Sequence, residues 1–282
     1  MQPHRTGAQL PTQQYQPNRP EYYPQFPGDA SGWDDAQSSY EYEEYKPSIV
    51  GVPWAVFLAW LSDAWDPGQH LAIIGPTGEG KTTFVVGILG LRQWVIALDP
   101  KGEDETLAAS GYMRVTSLPL PGYLRNRIAA GAPARLIIGG PSRTDAEKLA
   151  LQRLMKQAIQ MVREQGGWTL YVDEFQILSD IRMFGLGKPI EELLIAARRN
   201  RTSVITSFQA PAWVPRASTR QAWGTLMLPT RDVNMIKSVA ESMGRSWQEL
   251  MSAIQQLPQF HGLFIPKSIH APMLLVNPPK VD

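Results

Sequence analysis

The stretch "GPTGEGKTT", Gly75 to Thr83, joins two apolar runs, "LAII" before it and "FVVGILG" after it. A strand that stops abruptly and a helix that starts abruptly need a tight connector, and Gly75, Gly78 and Gly80 allow backbone angles that residues with a Cβ resist. The spacing G-x-x-x-x-G-K-T turns such a connector into an anion cradle, because successive backbone N–H groups and the start of a helix face one point. Gly75, Pro76, Thr77, Gly78, Glu79, Gly80, Lys81, Thr82 and Thr83 are therefore expected to hold the phosphates of a nucleotide. In this pattern Lys81 reaches the β- and γ-phosphates as a point charge, the Thr82 hydroxyl ligates Mg²⁺, and Thr83 extends the first helical turn.

Mg·ATP needs a second oxygen ligand for the metal, usually an aspartate at the end of a neighbouring strand. "WTLYVDEF" supplies Asp173 after four mainly apolar strand formers, with Glu174 directly behind it. Asp173 fits the metal partner and Glu174 the general base that deprotonates an attacking water. Gln209 ends the next predicted strand, "SVITSFQ", at the carboxyl edge where open α/β sheets bind ligands. There it can hydrogen-bond the γ-phosphate or the water. "ARRNR" precedes that strand with Arg198, Arg199 and Arg201. One of these arginines, supplied to a neighbouring subunit, can stabilise transition-state phosphate charge; the same cluster also suits the negative end of a helix.

From Leu71 onward short apolar runs alternate with helical patterns, which points to a mostly parallel sheet covered by helices. Strands are predicted at Leu71–Ile74, Trp94–Leu98, Ala134–Ile138, Trp168–Val172, Ser203–Phe208, Thr225–Leu228 and Gly262–Ile265. "TDAE", Thr144 to Glu147, is a capping box in front of a helical repeat of Ala146, Ala150, Leu154, Ala158 and Met161. Two further helices are predicted, at Val233–Met243 and in "GRSWQELMSAIQQL". The most apolar window, Ser48 to Ser62, has about fifteen uncharged residues where a bilayer span needs about 20. It is expected to form a Trp-rich helix, started at Pro53 and packed on the core, with an interfacial membrane anchor as the alternative.

Residues 1–46 are rich in Pro, Gln and Tyr and hold seven Asp/Glu against three Lys/Arg, leaving 24 Lys/Arg against 19 Asp/Glu for the rest. Such a segment, poor in aliphatic residues, is expected to be a disordered acidic arm whose Tyr pairs could dock a protein partner. Residues 47–282 are expected to form one domain. The absence of cysteine excludes disulfides, zinc–thiolate sites and cysteine nucleophiles. The start of the chain has no secretory signal pattern, and a cytoplasmic protein is expected.

Taken together, "GPTGEGKTT", "ALDPKGE" at Ala97 to Glu103, "YVDEFQIL", and an arginine eleven residues before a strand-end glutamine resemble the FtsK-HerA superfamily of DNA-pumping ATPases, and within it the coupling proteins of type IV secretion. The resemblance covers Leu71 to Gln209 and, more weakly, the C-terminus through "LPQFHGLFIP". It implies an α/β fold of the RecA-like (ASCE) P-loop NTPase kind, hexameric rings, ATP and Mg²⁺ as cofactors, DNA as partner, and a bacterial or phage-infected host cell. It puts the nucleotide roles on Lys81, Thr82, Asp173, Glu174 and Gln209, and the trans arginine on Arg198. Only 92 residues separate Lys81 from Asp173, and the chain shows neither transmembrane helices nor an inserted helical domain. A stripped-down motor of the phage or plasmid translocation and packaging kind is the better match.

Two function classes follow. One is an ATPase that moves DNA through a pore, with "RMFGLGK" (Arg182 to Lys188) and "PAWVPRASTR" (Pro211 to Arg220) as basic, partly apolar DNA-contacting loops. The other is an ATP-switched assembly or secretion factor acting on protein partners, without DNA-stimulated turnover.

Overall fold

The computed structural model describes residues 49–102, 105–209 and 214–278; the side chains of residues 197 and 198 and the predicted acidic arm lie outside the described residues. The chain opens with β1 (Ile49–Pro53), α1 (Trp54–Ala64), β2 (His70–Ile74), α2 (Lys81–Leu89), β3 (Trp94–Asp99), α3 (Glu105–Ala109) and β4 (Met113–Arg114). It continues through α4 (Gly122–Ala129), β5 (Ala134–Gly139), α5 (Asp145–Gln165), β6 (Thr169–Val172), α6 (Phe175–Ser179), α7 (Gly187–Ala196) and β7 (Ser203–Phe208). The last elements are α8 (Ala217–Arg220), β8 (Ala222–Met227), α9 (Val233–Met243), α10 (Trp247–Gln255), β9 (Gly262–Pro266) and β10 (Met273–Asn277).

The strands form one ten-stranded sheet in the order β1-β10-β9-β8-β2-β7-β6-β3-β5-β4. β8, β2, β7, β6, β3, β5 and β4 run parallel, and β9 runs antiparallel to both its neighbours. A parallel sheet covered on both faces needs apolar residues on both, so its strands read as continuous apolar runs. That is why all seven predicted strands are present. Helix α5 carries the capping box predicted for it, with Thr144 and Glu147 bonded reciprocally, and α9 has the predicted bounds.

Three strands escaped the sequence reading. β1 occupies the front of the Trp-rich window, which is thus a strand followed by a helix. It pairs in parallel with β10, and β4 adds two residues at the far edge. Helix α1 packs on the core as expected, burying Phe57, Trp60 and Leu61. Ring centroids of Phe57, Trp60, Trp223 and Phe264 lie 5.3–5.9 Å apart in this layer. Full burial of Phe57 and Phe264 contributes roughly 1.5–3 kcal/mol each. Gly87, in the middle of α2, is where Trp54 lies down: a Cβ there would come within 2.5 Å of the indole. Helices α1 and α2 share one face of the sheet, while α4, α5, α7, α9 and α10 cover the other. Among the described residues no helix is long and apolar enough to cross a membrane.

Candidate nucleotide site

β2 ends at Ile74 and α2 starts at Lys81, so the loop between them stands at the carboxyl edge of the sheet's centre. Gly78 and Gly80 adopt φ of +86° and +85°, angles that a side chain with a Cβ resists. At Gly75 the constraint is space: a Cβ would lie 2.7 Å from Leu228 Cβ, at the end of β8. The Gly75 N–H donates to Phe208 O (3.3 Å) and the Leu228 N–H to Ile74 O (2.8 Å), which ties the loop to both flanking strands. The first-turn N–H groups of Lys81 and Thr82 have no intrahelical acceptor, as at any helix start, and the dipole adds positive potential there.

Lys81 curls over this loop and donates to Gly75 O and Pro76 O, both at 2.8 Å. Burial lowers its ammonium pKa below the usual lysine value, against the opposing charges of Glu174, Asp173 and Glu79; Lys101 pushes it further down. A half-buried ammonium held by two carbonyls beside a set of N–H donors suits a polyanion. Thr82 and Thr83 are half-buried in the first turn of α2.

β6 delivers the acidic pair to the same edge. Tyr171 faces the α2 side of the sheet and its hydroxyl donates to Asp173 Oδ1 at 2.7 Å. Glu174 turns into the left-handed region (φ +44°), which costs energy for a residue with a Cβ. The residue is 8% exposed, and its carboxylate accepts four hydrogen bonds from three side chains. Gln209 Nε2 reaches Oε1 at 2.9 Å and Oε2 at 3.0 Å, Lys101 Nζ reaches Oε1 at 3.1 Å, and Gln176 Nε2 donates to Oε2. Glu174 is therefore a largely buried carboxylate whose orientation is fixed at once from the ends of β3 and β7 and from α6.

Sequence reading missed Lys101 as a participant, although it lies inside the quoted "DPKGE". The motif explains itself in three dimensions. Asp99 Oδ1 accepts from the Gly102 N–H at 2.8 Å and closes the turn. Gly102, at φ +69°, is pressed on Gly140, where a Cβ would come within 2.3 Å of backbone. Held between them, Lys101 projects from the end of β3 toward the end of β6, the adjacent strand. A lysine between a strand-end aspartate and a glycine was the available signal; its partner, 73 residues later, was not.

The structure thus brings together Gly75 to Thr83, Asp173, Glu174 and Gln209. It does not bring Arg198 to them. Arg198 sits in a 3₁₀ turn, Ala197–Asn200, before the start of β7, on the opposite edge of the sheet. Of the two predicted DNA-contacting loops, the first, Arg182 to Lys188, holds Arg182 and Met183 at the surface beside Ile181 (88% exposed), with Lys148 of α5 donating to Arg182 O at 3.2 Å. Its Phe184 and Leu186 are buried. In the second, residues 211–213 lie outside the described residues, and Arg216 and Arg220 are exposed.

No protein-family model matches the sequence, and no curated protein is significantly similar to it. Solved structures do share the fold. The genome packaging NTPase B204 from Sulfolobus turreted icosahedral virus 2, in complex with sulfate, superposes with a TM-score of 0.54 at 17% identity, over 77% of this chain and 100% of that one. The same protein in complex with ATP-gammaS gives 0.52 at 17% identity, over 76% and 99%. VirB4 of Thermoanaerobacter pseudethanolicus gives 0.55 at 12% identity, over 75% and 89%. The architecture shared with these structures is a mostly parallel sheet flanked by helices.

Proposed function

We propose that this chain is an ATP-hydrolysing motor that moves DNA, acting as a ring of its own copies, with six as the ring size that the sequence resemblance implies. The single observation behind this reading is the buried Glu174 carboxylate, oriented by Gln209 and Lys101 at the edge where the glycine loop and Lys81 lie. The likeness of fold to a viral genome packaging NTPase and to VirB4 supports the motor class.

In this reading the loop from Gly75 to Thr83 binds the phosphates of ATP and Lys81 leaves its two carbonyls for the phosphate oxygens. Thr82 and Asp173 would hold Mg²⁺, which when bound offsets phosphate charge. Glu174 takes the proton from the attacking water, a role suited to a carboxylate screened from solvent. Gln209, bonded to Glu174 and at the end of β7, senses the terminal phosphate and passes its loss to the loop that follows. Arg198 completes a neighbour's site, which makes the oligomer part of the catalyst. The loop from Arg182 to Lys188, through exposed Arg182 and Lys188, and the loop from Pro211 to Arg220, through exposed Arg216 and Arg220, contact the DNA backbone. The acidic arm docks a protein partner, and the motor works in the cytoplasm.

The test is ATP hydrolysis by the full chain with no DNA, with double-stranded DNA and with single-stranded DNA, alongside the mass of the assembly. Turnover that rises with DNA in an oligomer is expected. Turnover indifferent to both DNA forms would favour an assembly or secretion factor, and no turnover in any condition would remove the enzyme reading.

A further inference from the structure

Phe260 occupies a backbone position that favours glycine. It is the third residue of a turn from Pro258 to His261, closed by the His261 N–H donating to Pro258 O at 3.1 Å. Its φ is +62°, while Gln259 does not share a positive φ. That is the pattern of a type II turn, whose third position calls for glycine or asparagine. A bulky side chain in the left-handed region is unfavourable, and core packing offsets little of the cost, because Phe260 is 41% exposed. Strain kept at an exposed aromatic residue points to a task outside the core.

The place of the ring says which task. A Cβ added to Gly80 would lie 3.5 Å from Phe260 Cδ1, so the ring stands against the phosphate loop. Two residues on, a Cβ at Gly262 would lie 3.0 Å from Phe84 Cζ, in the first turn of α2. The turn is thus seated on the loop, and the start of β9 behind it on the helix start. Lys101, Glu174 and Gln209 all lie on the β7, β6 and β3 side of β2. A ligand whose last phosphate points to them must carry its other end away toward β8 and β9, and the turn from Pro258 to His261 leads directly into β9.

We propose that Phe260 is the stacking platform for the base of a bound nucleoside di- or triphosphate. The proposal rests on the phosphate-loop reading and adds the nucleoside end of the same site. An aromatic ring holds a purine through its π-face, and Phe260, 41% exposed beside the loop, has surface left to offer one.

The experiment titrates the full chain with ADP and, separately, with inorganic tripolyphosphate, by calorimetry in Mg²⁺ buffer. Phe260→Ala is expected to weaken ADP binding roughly 5- to 150-fold, the range for loss of one base–aromatic stack, with tripolyphosphate binding unchanged. Phe260→Trp is expected to retain ADP binding, with emission quenched by ADP and not by tripolyphosphate. Phe260→Gly suits the backbone, so it should melt cooperatively and show the same selective loss of ADP; it decides the matter should Phe260→Ala fail to fold. ADP binding equal to wild type, or an equal loss for tripolyphosphate, overturns the proposal. A wild-type chain that binds neither ligand removes the phosphate-loop reading itself, and the platform with it.

Discussion

Arg198 lies at the amino end of β7 and the phosphate loop at the carboxyl edge, so the six residues of β7 stand between them. At about 3.3 Å per residue that is about 20 Å, beyond the reach of one side chain. An arginine so placed cannot serve its own subunit's phosphate; it serves a neighbour's or none. Loss of such a charge costs roughly 10³- to 10⁵-fold in kcat, or about 4–7 kcal/mol of transition-state stabilisation. Arg198→Ala is therefore expected to bind ATP like wild type and to be almost inactive, and Lys81→Ala to be inactive for lack of phosphate binding. Mixed in equal amounts, the two variants create whole sites wherever an Arg198→Ala subunit, with its loop intact, meets a Lys81→Ala neighbour, with its arginine intact. Random assembly in a head-to-tail ring makes about a quarter of interfaces whole. Steady-state ATP hydrolysis of the mixture, with co-assembly verified by native mass spectrometry, should thus recover toward that fraction of wild-type rate. No recovery in verified mixed rings, or near wild-type turnover by Arg198→Ala alone, would refute the assignment and move it to Arg199 or Arg201.

Two other outcomes follow from the site and the core. Lys101→Met should lower kcat roughly 10- to 100-fold through a misoriented Glu174, leave KM for ATP unchanged and barely shift Tm, because a lysine side chain 45% exposed adds about 1 kcal/mol or less to stability through its ion pair; steady-state kinetics beside thermal melting checks this, and unaltered kcat would contradict it. His70 is buried in β2, donates Nε2–H to Leu194 O and accepts the Val204 N–H at Nδ1, and burial lowers its pKa from 6.5 to about 4. The neutral ring is the one the fold binds, so its contribution of about 3 kcal/mol is present above pH 6.5 and is lost as pH falls toward 4; ring NMR shifts that still read neutral at pH 5 would bear this out, and a midpoint near 6.5 would not.

What the sequence made legible was local. The glycine–lysine loop, the acidic pair and the strands around them each carry their signal within ten residues, and a strand buried on both faces announces itself as an apolar run. The capping box did the same for α5. What stayed hidden depends on the order of strands in the sheet. β1 pairs with β10 more than 200 residues away, so nothing beside Ile49 to Pro53 separates a strand from the front of the Trp-rich helix. Lys101 reaches Glu174 because β3 lies next to β6, which a motif cannot state. The edge on which Arg198 falls follows from the direction of β7, and the strained turn at Phe260 from backbone angles that a phenylalanine does not advertise.

The proposed role of Glu174 as the base of an ATP hydrolase depends on its orientation, which the edge of the sheet is built to hold, and not on its bulk. Glu174→Gln keeps the shape of the side chain and removes the base. The most direct measurement is therefore nucleotide binding and single-turnover hydrolysis by this variant of the full chain. ATP should bind with wild-type affinity and remain uncleaved, with the rate down by roughly 10²- to 10⁴-fold. Cleavage of bound ATP at close to the wild-type rate would contradict the role of base.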